Sequence, residues 1–400
     1  MSFVAIDIGA SNTRFVNDRR QFATIPNNAT FIQKISGEGE LVYDMNPTKL
    51  EPGGREIFDS LEMIIHHPGS ESKFFPMHAL LGFMSDSSDE NKFFPVAIQN
   101  KYDQDVNYLS CITAVAISKL QSNLDDNIEL YLALPPMELT NGQPIMKENL
   151  MGAWEVFFPK FNGGITVKFN ITDVQCSQEG VLAMTSFFYD LAGQPCMDKM
   201  RYGQGTLLSI DIGASTTDLA IMQHGRILSK SVRTLKIGGN VAREYFKSIM
   251  QEKLPYDFPK EQADRGMVEG VIQAGAGIRV VSEEVTQAKR LLANQLYNKM
   301  VDYFGMIGIP LQVIETIVVS GGGSMQSQYV NEKNETVVTS RPLSEFLTET
   351  LRSKVPDITI EVINHSDNPR MANVTGLYLK AAAIAKERAK ATAAAGNITI

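Results

Sequence analysis

The sequence predicts an α/β protein built from two similar domains, and three observations carry that expectation. First, the six residues Ile6-Asp-Ile-Gly-Ala-Ser11 recur unchanged at Ile210–Ser215, roughly half the chain later, and Thr13 matches Thr217. Second, short apolar strand-like runs alternate with longer helical periods. Third, 400 residues exceed what one small core needs and suit two domains of ordinary size.

Each copy of the repeat is an apolar run, an Asp, a Gly/Ser/Thr turn and a second strand-like run. After the second copy, Asp218–Met222, a turn at Gln223-His224-Gly225 and Arg226–Val232 read as a strand meander. Helical periods follow at Asn240–Leu254 and from about Ser282 to Phe304. In the first half, Val106–Leu120 reads as a helix and Ile128–Leu134 as a buried strand closed by Pro135-Pro136. Gln143–Phe158 reads as helix, Ile165–Cys176 as strand and Glu179–Leu191 as helix. Thr316–Ser320 is a strand before Gly321-Gly322-Gly323, followed by a helix over Arg341–Val355, a strand over Thr359–Ile363 and an alanine-rich helix over Met371–Ala395. The expected boundaries are 1–192 and 193–370. The first domain carries an insertion at about 35–105, the second one at about 240–310, and the C-terminal helix 371–395 is a candidate completion of the first. Gly, Pro, Ser and Asp clusters such as Glu51–Gly54 and Ser85–Glu90 break up the first insertion. It keeps apolar pieces, Met63–Ile65 and Phe93–Ile98, that need burial, so it reads as peripheral structure rather than a linker.

A net charge of −8 argues against a protein whose whole surface binds nucleic acid or anionic membrane. Cys111, Cys176 and Cys196 show no paired spacing, which speaks against a disulfide framework or structural zinc and fits a reducing compartment. The chain opens directly on strand-like Phe3–Ile6 and has no apolar run long enough to span a bilayer, so a soluble cytoplasmic protein is expected.

The repeated turn has chemistry of its own. Gly9 and Gly213 let the backbone turn tightly and approach a ligand, and Ser11 and Thr216 add hydroxyl donors for an anion. A carboxylate beside it, Asp7 or Asp211, suits phosphate only through a divalent ion such as Mg²⁺ and its waters. One such turn is equally a capped hairpin; two at this spacing point to a site.

On these residues the chain resembles the actin, sugar-kinase and heat-shock-70 superfamily. The resemblance implies two actin-like, ribonuclease-H-like domains flanking a nucleotide cleft, with peripheral insertions. It assigns phosphate contact to Asp7, Gly9, Ala10, Ser11, Asn12 and Arg14 and to Gly213, Ala214, Ser215 and Thr216, with Mg²⁺ held by Asp7 and Asp211 through water. Arg14 stands where many actins carry a lysine, and its larger planar fork puts that contact in question. Ile317–Ser324 resembles the adenosine loop, with Gly321, Gly322, Gly323 and Ser324 at the nucleotide. Gly238, Gly239, Arg243, Glu244 and Lys247 resemble the segment that holds ribose and base; taken alone, the last three are a solvated helix face. Between the loops, Glu179, or its neighbour Gln178, occupies the place of the residue that positions the attacking water, with Asp211 as its catalytic companion. The bland reading of Glu179 is a helix-start carboxylate.

Within the superfamily, no sugar-binding signature is found, and the chain ends too soon after Gly323 for the peptide-binding domain of the chaperones. The Tyr131–Gln143 stretch and Asn373–Tyr378 resemble the ParM-type plasmid-segregating actin homologues. That resemblance implies ATP (or GTP) with Mg²⁺, a head-to-tail filament of the chain with itself, hydrolysis on assembly, and a DNA-binding adaptor protein as partner. No direct nucleic-acid or membrane contact is expected. The rival readings are a monomeric ATP-dependent small-molecule kinase or phosphatase using the same site, and a binder that does not hydrolyse.

Overall fold

The computed structural model describes residues 2–32, 49–51, 55–58, 60–68, 77–82, 92–93, 100–159, 161, 163–254, 258–275, 277–357 and 359–396. These residues fall into two units, one within 1–182, 191–193 and 373–400, the other within 183–190 and 194–372.

In the first unit the strands are β1 (Ser2–Ile8), β2 (Asn12–Asn17), β3 (Phe22–Pro26), β4 (Ala29–Ile32), β5 (Lys49–Glu51), β6 (Arg55–Ile57), β7 (Ser60–His66), β8 (Met77–Gly82), β9 (Lys92–Phe93), β10 (Asn127–Leu134), β11 (Gly152–Phe158) and β12 (Ile165–Gln178). They form one sheet in the order β5-β6-β3-β2-β1-β10-β12-β11-β7-β8-β4-β9. β1 is buried at every position and β10 at all but its first, as expected of parallel strands covered on both faces. Helix α1 (Asp105–Ser122) packs against β1, β2 and β12, and α2 (Leu139–Leu150) against β12. α1 stops at Asn123, which takes a left-handed conformation and returns its N–H to the Lys119 carbonyl. Most of the segment 35–105 lies outside the described residues. The described strands β5–β9 extend the sheet towards its two ends, and Phe58, Leu61, Met63, Ile65, Ala79 and Leu81 join the core.

The span Gln143–Phe158, expected to be one helix, is half helix and half strand. α2 ends at Leu150, and Gly152 turns the chain at φ 115°. In β11 Trp154, Val156 and Phe158 then alternate inward, and the Trp154 Nε1–H donates to the Leu150 carbonyl at 2.8 Å. The β period wins because aromatic and β-branched residues occupy every second position.

The second unit opens with α3 (Val181–Phe188), whose first two residues belong to the first unit. Its strands are β13 (Thr206–Ile212), β14 (Thr217–Gln223), β15 (Arg226–Ile227), β16 (Arg233–Leu235), β17 (Val271–Ala274), β18 (Gly277–Val280), β19 (Thr316–Ser320), β20 (Ser327–Val330), β21 (Thr336–Ser340) and β22 (Glu361–Asn364). The main sheet runs β15-β14-β13-β19-β22, with β16 also on β14. This is the path β3-β2-β1-β10-β12 of the first unit over again, with the same antiparallel and parallel senses. The run Arg226–Val232, read as one strand, is broken. Ser231 sits in a 3-10 turn, where its Oγ accepts from the Ile221 N–H at 2.8 Å and so replaces a ladder bond. Helices α4 (Gly239–Lys253), α6 (Ser282–Ile307) and α7 (Leu343–Lys354) build the core beside this sheet, and α5 (Lys260–Glu269) packs with the hairpins β17-β18 and β20-β21. α8 (Ala372–Gly396) returns to the first unit, where Tyr378 meets Phe3 and Lys380 donates to Ser177. Among the described residues, no helix is long and apolar enough to cross a membrane.

α8 can approach the start of α3 because residue 376 has no side chain: a Cβ there would overlap the Leu182 carbonyl, with its carbon at 2.6 Å. Gly→Ala inside a helix ordinarily stabilises by up to about 1 kcal/mol. Gly376→Ala is expected to reverse that sign and cost about 1–3 kcal/mol through overpacking. A thermal melt should read a midpoint several degrees lower; an unchanged or raised midpoint contradicts the contact.

Candidate functional site

Two strand ends carry the repeated turn. At the first, the Gly9 N–H donates to the Asn12 carbonyl at 3.1 Å, closing a tight turn between β1 and β2. A Cβ on Gly9 would stand 2.6 Å from the same oxygen, so the position tolerates only glycine. At the second, the Gly213 N–H donates to the Thr216 carbonyl at 2.9 Å between β13 and β14. Asp7 and Asp211 are the buried carboxylates one residue before the end of each strand.

The register then separates the two copies. Asp7 lies opposite Arg14, whereas Asp211 lies opposite Asp218, because the repeat places an acid at 218 where it places an arginine at 14. Asp211 is 6% exposed and Asp218 2%, and their carboxylate oxygens come within 4.8 Å of each other. Neither is left to water: the Ser320 hydroxyl donates to Asp211 Oδ1 at 2.7 Å and the Thr234 hydroxyl to Asp218 Oδ1 at 2.6 Å. Two buried carboxylates so close repel one another and favour a divalent cation or a shared proton. Asp218 was missed in the sequence, although comparing the two copies position by position exposes it.

In the second unit two further glycine segments converge on the Gly213–Thr216 turn. The Gly239 N–H donates to the Gly213 carbonyl at 2.9 Å and the Asn240 N–H to the Ala214 carbonyl at 2.7 Å. A Cβ at Gly238 would lie 2.7 Å from both carbonyls. Asn240 Nδ2 reaches the Ser215 hydroxyl at 3.1 Å. Gly321 adopts φ 86°, donates its N–H to the Pro369 carbonyl at 3.0 Å and backs onto Ile212. Gly323 lies close enough to Gly239 that a Cβ on the latter would touch its Cα at 3.4 Å. Ser324 returns its hydroxyl to the Gly321 carbonyl. Gly213–Thr216, Gly238–Gly239 and Gly321–Ser324 are thus one backbone-lined surface at the end of β13; the first amides of α4 are spent on the Gly213, Ala214 and Gly238 carbonyls, so the helix offers an anion its dipole there rather than those N–H groups. Arg243, Glu244 and Lys247 lie further along α4, and Arg243 is bound to Asp264 and Glu244.

In the first unit Gln178 ends β12 opposite Leu134, and the Glu179 N–H donates to the Leu134 carbonyl at 3.0 Å. Glu179 therefore sits at a strand end, before Gly180 at φ 76° and α3 from Val181, rather than inside a helix. Its buried carboxylate is bound by Lys101 Nζ. Burial works against the Lys101 charge, but the carboxylates of Glu179, Asp7 and Glu138 outweigh it and hold its pKa above the ordinary lysine range. Lys101 was also missed; it stands in a short 3-10 turn before α1 that resembles no motif.

Comparison with known proteins bears on the fold. A family model described as archaeal actin homologue MreB-like, C-terminal, matches residues 209–329, from β13 to the hairpin after the last glycine segment. Among solved structures, actin-like protein Alp7A superposes with a TM-score of 0.71 at 14% identity, covering 98% of this chain and 99% of that one. Ta0583, an archaeal actin homologue in complex with ADP, gives 0.63 at 15% identity over 96% and 99%. A 15-stranded ParM filament from Clostridium botulinum gives the same score and identity over the same shares. The chain has the actin-like fold. No curated protein matches its sequence.

In this actin-like chain one further group secures the glycine surface. Lys289 of α6 is 4% exposed and donates to the carbonyls of Met325, just past Ser324, and of Arg341, both at 2.9 Å. Burial pushes its ammonium down to about 7. Between about 7 and the ordinary value of 10.5 the unfolded chain keeps this proton and the folded chain does not, so stability rises with pH through that window. The limiting slope from this group is about 1.4 kcal/mol per pH unit. Melting midpoints of the wild type and Lys289→Met should therefore diverge in favour of the wild type as pH rises from neutrality. A constant gap between the two curves contradicts the assignment.

Proposed function

We propose that this protein is a nucleotide-driven, filament-forming actin homologue that hydrolyses ATP (or GTP) as it assembles. The observation that carries the reading is the convergence of three glycine segments beside Asp211 and Asp218, with the same strand-end turn repeated at Asp7–Asn12. In this reading each unit carries one phosphate-binding loop, and turnover needs both. The first loop, Gly9–Asn12 with Arg14, and the second, Gly213–Thr216, take the phosphates; Gly238-Gly239 and Gly321–Ser324 take the nucleoside without side-chain clash. Actin homologues solved with ADP and with AMPPNP support a nucleotide in this fold.

The paired buried carboxylates fit a divalent ion better than they fit phosphate alone. Asp7 and Asp211, joined by Asp218, would hold Mg²⁺, which when bound with the nucleotide neutralises charge on its terminal phosphates. The protein's own part is positional: Glu179 accepts a hydrogen bond from the attacking water and Asp211 orients it, while the loop amides hold the phosphoryl group in line. Head-to-tail stacking of identical protomers is a contact that does not close, so it grows a filament, and a ParM filament among the structural relatives supports that outcome. With a net charge of −8, contact with DNA during segregation of a plasmid or phage genome runs through an adaptor protein.

Sedimentation of the purified protein with Mg²⁺ and ATP, against ADP, tests the reading. Filaments should pellet with ATP and dissolve as phosphate is released, and Glu179→Ala and Asp211→Ala should each lower turnover by about 100-fold or more. A protein that stays in the supernatant at high concentration while a small-molecule acceptor stimulates its turnover sinks the filament and favours a kinase.

A further inference from the structure

In the first unit a hydrogen-bonded series of side chains runs from the Gly9–Ser11 turn to Glu179. Asn27 Nδ2 uses its two hydrogens on the Gly9 carbonyl at 2.7 Å and on Asn107 Oδ1 at 2.9 Å, and the Asn27 N–H donates to the Ser11 carbonyl at 3.0 Å. Asn27 Oδ1 accepts from the Ser110 hydroxyl at 2.6 Å. Asn107 Nδ2 donates to the Lys101 carbonyl at 2.9 Å, and the Lys101 N–H donates to Glu138 Oε2 at 2.7 Å. Lys101 Nζ completes the series on Glu179 Oε1. Asn27, Asn107 and Ser110 are all buried, so each missing bond would leave a desolvated polar group.

Merely neutralising Glu179 would not need this arrangement, since any cation nearby would serve. Here the lysine backbone is held on both sides, by Asn107 at its carbonyl and Glu138 at its N–H, so its flexible stem starts from a fixed point. The fixing residue, Asn107, is itself registered to the Gly9–Ser11 turn by Asn27. We propose that Lys101 is the positioning residue for Glu179, held in register with the first glycine turn by the Asn27–Asn107 pair. The backbone that meets the phosphates and the carboxylate that meets the attacking water are thereby set by one hydrogen-bonded relay. A shift at the turn moves Glu179, and misplacement of a reacting group by about 1 Å costs about 100-fold in rate. This inference rests on the hydrolytic reading above.

The test uses the full-length protein and measures steady-state ATP hydrolysis with Mg²⁺, equilibrium binding of ADP, and a thermal melt. Lys101→Met should lower kcat by about 100-fold while ADP affinity stays within about threefold, because ADP binding does not use Glu179. Lys101→Arg should restore about tenfold of that loss, since a cation again meets the carboxylate. Asn107→Ala should fall between the wild type and Lys101→Met in kcat. The proposal is overturned if Lys101→Met turns over like the wild type, if its ADP affinity drops as far as its kcat, or if the arginine variant rescues nothing. Should Lys101→Met fail to fold, Lys101→Arg and Asn107→Ala decide: full activity in Asn107→Ala overturns the relay. A wild type that binds ADP but hydrolyses no ATP overturns the functional reading and the relay together; an active wild type beside an equally active Lys101→Met overturns the relay alone.

Discussion

One amide-to-carbonyl bond, made twice, organises the rest of the chain. Gly9 to Asn12 and Gly213 to Thr216 each reverse the backbone at the end of a strand buried on both faces, in a turn where a Cβ at the first position would stand 2.6 Å from the facing carbonyl in the first copy and 3.2 Å in the second. Because the turn is short, the strand that leaves it must pair back on the one that entered, which fixes the register of β1 with β2 and of β13 with β14. That register places Asp7 and Asp211 beside the turn, and the parallel neighbours β10 and β19 bring further elements to the same ends. In open α/β sheets the carboxyl ends of parallel strands are where ligands bind, and here both units offer the same end.

The duplicated turns have diverged in charge. Across the first turn an acid faces a base, and Lys101 adds a second cation beside Glu179 and Asp7. Across the second, two acids face one another and two hydroxyls complete their bonding. The acids of the first half thus have cations among their neighbours, while the paired acids of the second have a charge that a divalent cation would offset. The difference in charge between the two copies lies at one position of the facing strand, Arg14 against Asp218.

What could be read from the sequence was whatever is local. The repeat, the glycine segments and the long apolar periods are patterns within a dozen residues, and the antiparallel strand pair around each repeated turn follows from them. Asn27, Lys101 and Asn107 were illegible because their meaning lies in meeting Gly9 and Glu179 across distant segments, and no period marks an isolated Asn or Lys. Gln143–Phe158 was misread because an apolar stretch fits either period until Gly152 and the inward Trp154, Val156 and Phe158 are taken together. The hairpins β17-β18 and β20-β21 escaped because their strands are four or five residues long and largely exposed, so no inward-outward alternation announces them.

Nucleotide binding, as proposed above, needs both copies of the turn. Calorimetric titration of the purified chain with a non-hydrolysable ATP analogue and Mg²⁺ tests it most directly, because it counts sites. One nucleotide should bind per chain, and binding should be lost completely when either turn is blocked by Gly9→Val or Gly213→Val in a variant that still folds. Two nucleotides per chain, or a blocked turn that removes only half of the binding, would contradict it.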